Sequence, residues 1–125
     1  MEHKTNTTPR FHDILKNKAD EFAFSVYKIT KDFPREEIYG ITSQLRRASL
    51  SVVLNYIEGY ARAGDKSYKN FLQMSYGSLK ESKYLLYFSQ REGYINKKEY
   101  DIIIKLSEEV GAMLWTTING IKERM

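Results

Sequence analysis

The chain has 125 residues, 42% hydrophobic and 29% charged, with a net charge of +4. That is one domain's length at ordinary globular composition, which argues against a largely disordered chain, a coiled-coil fibre or a membrane protein. The absence of cysteine excludes disulfides, zinc ribbons, iron–sulfur clusters and thiol nucleophiles; the opening MEHKTNTTPR has no apolar core for a secretion signal, no window reaches the ~18 apolar residues of a membrane span, and the expected location is the cytoplasm.

Residues 1–10 read as a flexible tail ahead of a single domain over 11–125. The first periodic segment carries Leu15, Ala19, Phe22, Val26, Ile29 and Phe33 at spacings of four and three, one apolar helical stripe, and predicts a helix over 11–32. Pro34 ends it, because proline pushes the residue before it out of helical angles. Pro34 then suits the first turn of a second helix, with Glu36 and Glu37 beside the positive end of its dipole. The stripe of that helix is Ile38, Ile41, Leu45, Ala48 and Val52, continuing to Tyr56 and Gly59. Leu50, Val53, Leu54, Ile57 and Tyr60 add a second apolar face, which a monomer of four helices would leave in water; they are the expected subunit interface.

Gly64 is placed to end the second helix in the left-handed conformation, with Asp65 or Ser67 to cap the third. The third helix carries Tyr68, Leu72, Ser75, Leu79, Ser82 and Leu86, small residues for close approach at Ser75, Gly77, Ser78 and Ser82, and Gly93 to close it. Asn96 followed by Glu99 is a capping-box variant that introduces Tyr100, Ile103, Val110, Leu114, Thr117 and Ile121 on a fourth helix. Connections of a few residues make consecutive helices neighbours, so the expected fold is all-α, an antiparallel up-down-up-down four-helix bundle.

The charge is unevenly placed. Residues 1–45 and 84–125 each balance, and the excess lies in 46–83, where Arg46, Arg47, Arg62, Lys66, Lys69, Lys80 and Lys83 face only Glu58, Asp65 and Glu81. Such an excess draws polyanions or acidic protein surfaces, and it also reads as ordinary solubility charge. On the second helix, Gln44, Arg47, Ser51, Asn55, Glu58 and Arg62 line one face at spacings of three and four. This polar stripe reads either as a register-setting network inside the bundle or its interface, or as a contact surface for a ligand or nucleic acid.

The run Phe33-Pro34, Glu36 or Glu37, Gly40, Ser43-Gln44-Leu45-Arg46-Arg47-Ala48, Ser51, Asn55, Glu58-Gly59 and Arg62, with Phe71-Leu72 and Gly77-Ser78-Leu79-Lys80-Glu81 further on, resembles the four-helix-bundle proteins first noticed in intervening sequences of 23S ribosomal RNA genes. It is also similar to the accessory variability protein of diversity-generating retroelements, which works beside a reverse transcriptase and its template RNA. The resemblance spans residues 11–121 and implies a homopentamer whose basic surface holds RNA or an RNA-bound partner. Two departures stand out: Val53 replaces a proline common in relatives, which should straighten the second helix, and Tyr56-Ile57 add bulk at the expected subunit contact.

Enzymatic chemistry finds little support. His3 and His12 are the only histidines, so no histidine base or metal triad is expected, and no cofactor is implied. Glu58 and Glu81 can be imagined as an acid/base pair across helices, but each has a basic neighbour, Arg62 or Lys80, and ion pairing is the expected fate. Phosphate loops, dinucleotide fingerprints and nucleophile elbows are absent, and no small-molecule substrate is evident. The function expected is therefore non-enzymatic: binding of RNA or DNA by the seven cations of 46–83, backbone-directed and weakly sequence-selective, with Tyr60, Tyr68 and Tyr76 either stacking on unpaired bases or serving the core. The competing reading is a protein adaptor or scaffold that docks an acidic or RNA-bound partner such as a reverse transcriptase.

Overall fold

The computed structural model describes residues 9–62 and 64–122. The expectation of a flexible tail falls mainly on residues 1–8, outside the described residues, as does His3; Pro9 and Arg10 already belong to a helix. The elements in order are helix α1 (Pro9–Thr30), a 3-10 turn (Arg35–Glu37), α2 (Ile41–Tyr60), α3 (Asp65–Arg91) and α4 (Lys97–Lys122). Helix α2 packs against α1 and α3, and α4 against α3 and α1; among the described residues the backbones of the two diagonal pairs stay apart across the core. The result is a ring of four helices around one core.

The apolar stripes fill that core. Leu15, Phe22 and Val26 of α1, Leu45, Val52 and Tyr56 of α2, Leu72 and Leu86 of α3, and Val110, Leu114 and Ile121 of α4 are fully buried. Several core positions are serine or threonine, and their hydroxyls donate to carbonyls one turn back: Thr30 to Val26, Ser82 to Ser78, Ser89 to Leu85, Ser107 to Ile104 and Thr117 to Met113. This back-bonding satisfies the hydroxyls without a partner helix, and their small size brings helices together. Ser75 instead donates across to Val52 O at 2.6 Å, tying α3 to α2.

Contacts between helices pair opposite ends. His12 near the start of α1 meets Tyr56 and Tyr60 near the end of α2, while Arg46 in α2 bonds Thr30 at the end of α1. Gly59 lies against Tyr68 and Phe71, and Ser51 against Ser78. The junction between α3 and α4 forms from local signals, as expected. Gly93 takes φ +81 and Tyr94 N–H reaches Ser89 O at 2.8 Å, the six-to-one bond of a Schellman motif. Glu99 N–H donates to Asn96 Oδ1 at 2.8 Å, and Asn96 N–H to Glu99 Oε1 at 3.3 Å, closing the capping box.

Three boundaries differ from the sequence expectation. Helix α1 ends at Thr30 rather than at 32, where the Thr30 hydroxyl donates to Val26 O and Tyr27 O. Pro34 does not open the second helix: it precedes the 3-10 turn, and α2 starts at Ile41 after a break at Gly40 (φ −110, ψ −117). The reason is Glu37. Its Oε1 accepts Ile41 N–H at 3.2 Å, at the start of α2, and its Oε2 accepts the Tyr94 hydroxyl at 2.9 Å, which holds that phenol above its ordinary pKa. A methyl on Gly40 would sit 2.7 Å from Glu37 Oε1, so a larger residue there would displace the cap. Finally, Gly64 is extended (φ −118, ψ 150) rather than left-handed, and it occupies the N-cap position itself, so neither Asp65 nor Ser67 is the cap; Asp65 lies inside the first turn, beside the positive end of the dipole.

Candidate nucleic-acid interface

Helical phase separates the seven cations. At 100° per residue, Arg46 and Arg47 fall on opposite flanks of α2. Arg46 turns toward α1: its Nε donates to Thr30 Oγ1 at 2.8 Å and its guanidinium lies 5.0 Å from the centre of the Tyr27 ring. Arg47 is exposed. Arg62, just past the other end of α2, sits ~24 Å along the axis from Arg46 at the helical rise per residue. Its Nη2 pairs with Glu58 Oε2 at 2.6 Å and its guanidinium covers the Phe71 ring at 4.9 Å.

The four lysines all lie on α3. Lys66 is exposed and Lys69 half-buried in its first turns, and Lys69 and Lys80 stand three turns apart on the same side, ~16 Å along the axis. Lys80 and Lys83 border a cleft of about 290 Å³ between α3 and α4, whose walls include Tyr76, Glu108, Gly111 and Trp115. Lys80 Nζ lies 5.3 Å from the centre of the Tyr76 ring, and Tyr76 and Trp115 are 5.7 Å apart, tilted by 41°. Lys66, Lys69, Lys80 and Lys83 thus follow one side of α3, the last two beside α4, whereas Arg62 lies over Phe71 on the flank toward α2 and Arg46 and Arg47 belong to α2 itself, so the seven cations are not gathered into one row.

The polar stripe of α2 also divides. Asn55 Nδ2 donates to Ser51 O at 2.9 Å and to Ser51 Oγ at 2.8 Å, and Ser51 Oγ shares a hydrogen bond of 2.8 Å with Ser78 Oγ on α3. These residues form a partly buried network within the bundle. Gln44, Arg47, Glu58 and Arg62 are exposed. Glu58 and Glu81 are not brought together: Gly59 packs at Phe71, a further ten residues along α3 from Glu81, and Glu58 is paired with Arg62.

Two of the five expected interface residues belong to the chain's own interior. Val53 is 5% exposed and packs in the core, and Tyr60 is half-buried with its ring stacked on His12 at 3.5 Å. The α1 helix covers that flank of α2. Leu50, Leu54 and Ile57 remain exposed, the last two by 55% and 45%, as an outward stripe. Of the tyrosines weighed as base platforms, Tyr68 is fully buried and Tyr60 is taken by His12, so only Tyr76 borders an open cleft.

Sequence reasoning missed two groups. His12 Nδ1 and the Tyr56 hydroxyl are 2.7 Å apart in a hydrogen bond, and with Tyr60 and Tyr68 they form an aromatic cluster where α1, α2 and α3 meet. Burial, then the proximity and hydrogen bonding of Tyr68, raise the Tyr56 pKa well above its ordinary value. Trp115 is 54% exposed. Its signal was available: it follows Leu114 and so falls off the apolar stripe of its helix, where an aromatic residue has no core to fill.

Four helices in a ring, with no strand among the described residues, define an all-helical four-helix bundle. The chain belongs to the 23S rRNA-intervening sequence protein family, whose model matches residues 13–116. A crystal structure of a protein of unknown function from the S23 ribosomal protein family of Bacteroides thetaiotaomicron shares 24% identity, with a TM-score of 0.81 over 87% of this chain and 98% of that one; at that identity the likeness establishes the fold. A search of curated proteins finds no match. No helix among the described residues is long and apolar enough to cross a membrane.

Proposed function

We propose that this protein is a non-enzymatic, oligomeric accessory protein that binds nucleic acid, RNA first, through a repeated basic surface. The observation that carries this reading is the row of Lys66, Lys69, Lys80 and Lys83 along one side of α3, drawn from the one region that holds the chain's whole positive excess. In the assembly we infer, the helices run antiparallel, up-down-up-down, and the outward stripe of Leu50, Leu54 and Ile57 is covered by identical subunits in a homopentamer. Repetition then multiplies a weak site: contacts on one long RNA become intramolecular after the first, so modest single-row affinity suffices. Cations on a flexible stem read phosphate rather than base edges, which makes the binding weakly sequence-selective.

A salt series with structured RNA tests the reading. Each phosphate neutralised lowers the slope of log K against log salt by about 0.9 for a duplex and about 0.7 for a single strand, so several cations acting together give a steep loss between low and moderate salt. Absence of binding at low salt would end the RNA reading. The protein adaptor would then be favoured, with the Leu50, Leu54 and Ile57 stripe facing a partner such as the reverse transcriptase of a diversity-generating retroelement.

A further inference from the structure

The cleft between α3 and α4 differs from the rest of the basic row because it is built for something flat. Trp115 stands at its edge with more than half of its surface in water, an unusual position for the largest apolar side chain, and its ring meets that of Tyr76 at 5.7 Å. Opposite, Lys80 and Lys83 supply two ammonium groups. The α4 wall is kept low by Gly111 and Ala112; a Cβ on Gly111 would already press to 3.2 Å from Leu79 Cδ2. Glu108 is the single acid lining the cleft, and its carboxylate accepts hydrogen bonds from a ring N–H or an amino group. The volume of about 290 Å³ lies at the small end of ligand pockets, room for one planar ring system and too little for a helix or a duplex.

We propose that this cleft holds a single unpaired nucleobase, stacked on Trp115 beside Tyr76, with the adjoining phosphates on Lys80 and Lys83. The inference rests on the nucleic-acid reading above and adds a base contact to it. Stacking on an aromatic face is sequence-tolerant, since every base has a π-face, and it converts a row that attracts any polyanion into one that prefers single-stranded segments. In a ring of subunits each cleft takes its own base, so unpaired loops of a folded RNA are engaged at several points.

Trp115 is the only tryptophan in the chain, so its emission reports on this cleft alone. The experiment is a low-salt titration of the full-length protein with 12-nucleotide single-stranded RNA, the same DNA, and inorganic polyphosphate as a polyanion without bases. Binding is followed by anisotropy of labelled RNA in parallel. The expected result is a strong quench of Trp115 emission by the single strands and none by polyphosphate. Quenching by RNA and DNA alike supports the proposal with either strand as the source, and quenching by RNA alone supports it with the ribose strand. Trp115→Ala should weaken RNA binding by about 5- to 150-fold, the range of base–aromatic stacking, and Trp115→Phe should recover part of it; circular dichroism verifies that both remain folded. RNA binding by anisotropy with unchanged emission, or with wild-type affinity in Trp115→Ala, would overturn the stacked base while leaving phosphate-directed binding in place. Equal quenching by polyphosphate would overturn it too. Absence of any anisotropy change would remove the underlying nucleic-acid reading, a distinguishable result.

Discussion

Two glycines inside helices, Gly59 in α2 and Gly77 in α3, should respond differently to the same substitution. An alanine in place of glycine within a helix is favoured by about 0.8–1.0 kcal/mol from backbone entropy alone. At Gly77 nothing lies within 4 Å of an added methyl, so Gly77→Ala should gain about 1 kcal/mol, raising the melting temperature by roughly 3–5 °C for a chain of this size. At Gly59 the methyl would meet Phe71 Cβ at 2.7 Å, Tyr68 Cδ1 at 3.3 Å and the Tyr68 carbonyl oxygen at 3.4 Å. Carbon atoms pack at about 3.5–4.0 Å, and Phe71 Cβ is fixed to the α3 backbone, so relief requires α2 and α3 to part. That movement stretches the Ser75 to Val52 bond at 2.6 Å and the Ser51–Ser78 bond at 2.8 Å. Overpacking costs about 1–3 kcal/mol, enough to cancel or exceed the propensity gain, and the two variants should differ by about that amount. Urea denaturation followed by far-UV circular dichroism measures the difference as a shift of midpoint at constant slope. A Gly59→Ala midpoint equal to or above that of Gly77→Ala would refute close helix contact at this site.

Alkaline stability tests the aromatic cluster. The Tyr56 pKa is raised in the folded state, chiefly by burial, so its neutral phenol contributes stability that is fully present below the unfolded value of about 10 and is lost as pH rises above it, at up to ~1.4 kcal/mol per pH unit. Helicity should therefore collapse cooperatively at high pH, together with ionisation of a buried tyrosine. Ionisation of all ten tyrosines with helicity intact would contradict that assignment. For the outward stripe of α2, Leu54→Lys combined with Ile57→Lys should lower the subunit number measured by light scattering while leaving helix content unchanged, since both side chains are exposed. Val53→Lys should instead unfold the chain, because a lone ammonium in the core lacks a partner. A double variant with the wild-type mass would separate these residues from assembly.

The legible parts of the fold were those decided within one or two turns of chain. Spacings of three and four marked every apolar stripe, Gly93 and the Asn96–Glu99 pair marked the turn between α3 and α4, and the lysines and arginines of 46–83 were countable. The start of α2 was misplaced because it depends on Glu37 accepting from Tyr94, a residue 57 positions away. Val53 and Tyr60 looked like surface residues for the same kind of reason: α2 is apolar around much of its girth, and only the position of α1 decides which flank is covered.

The amino-acid sequence by itself determined the helical segments, their principal apolar stripes and where the net charge resides, since backbone propensity and hydrophobic periodicity are local properties. Only the tertiary structure decided how each helix is rotated against its neighbours. That rotation turns Arg46 toward α1 and brings Lys80 and Lys83 of α3 to the same cleft as Trp115 of α4. Such placements arise from packing between residues distant in the chain, where a shift of 100° per position moves a side chain from core to solvent.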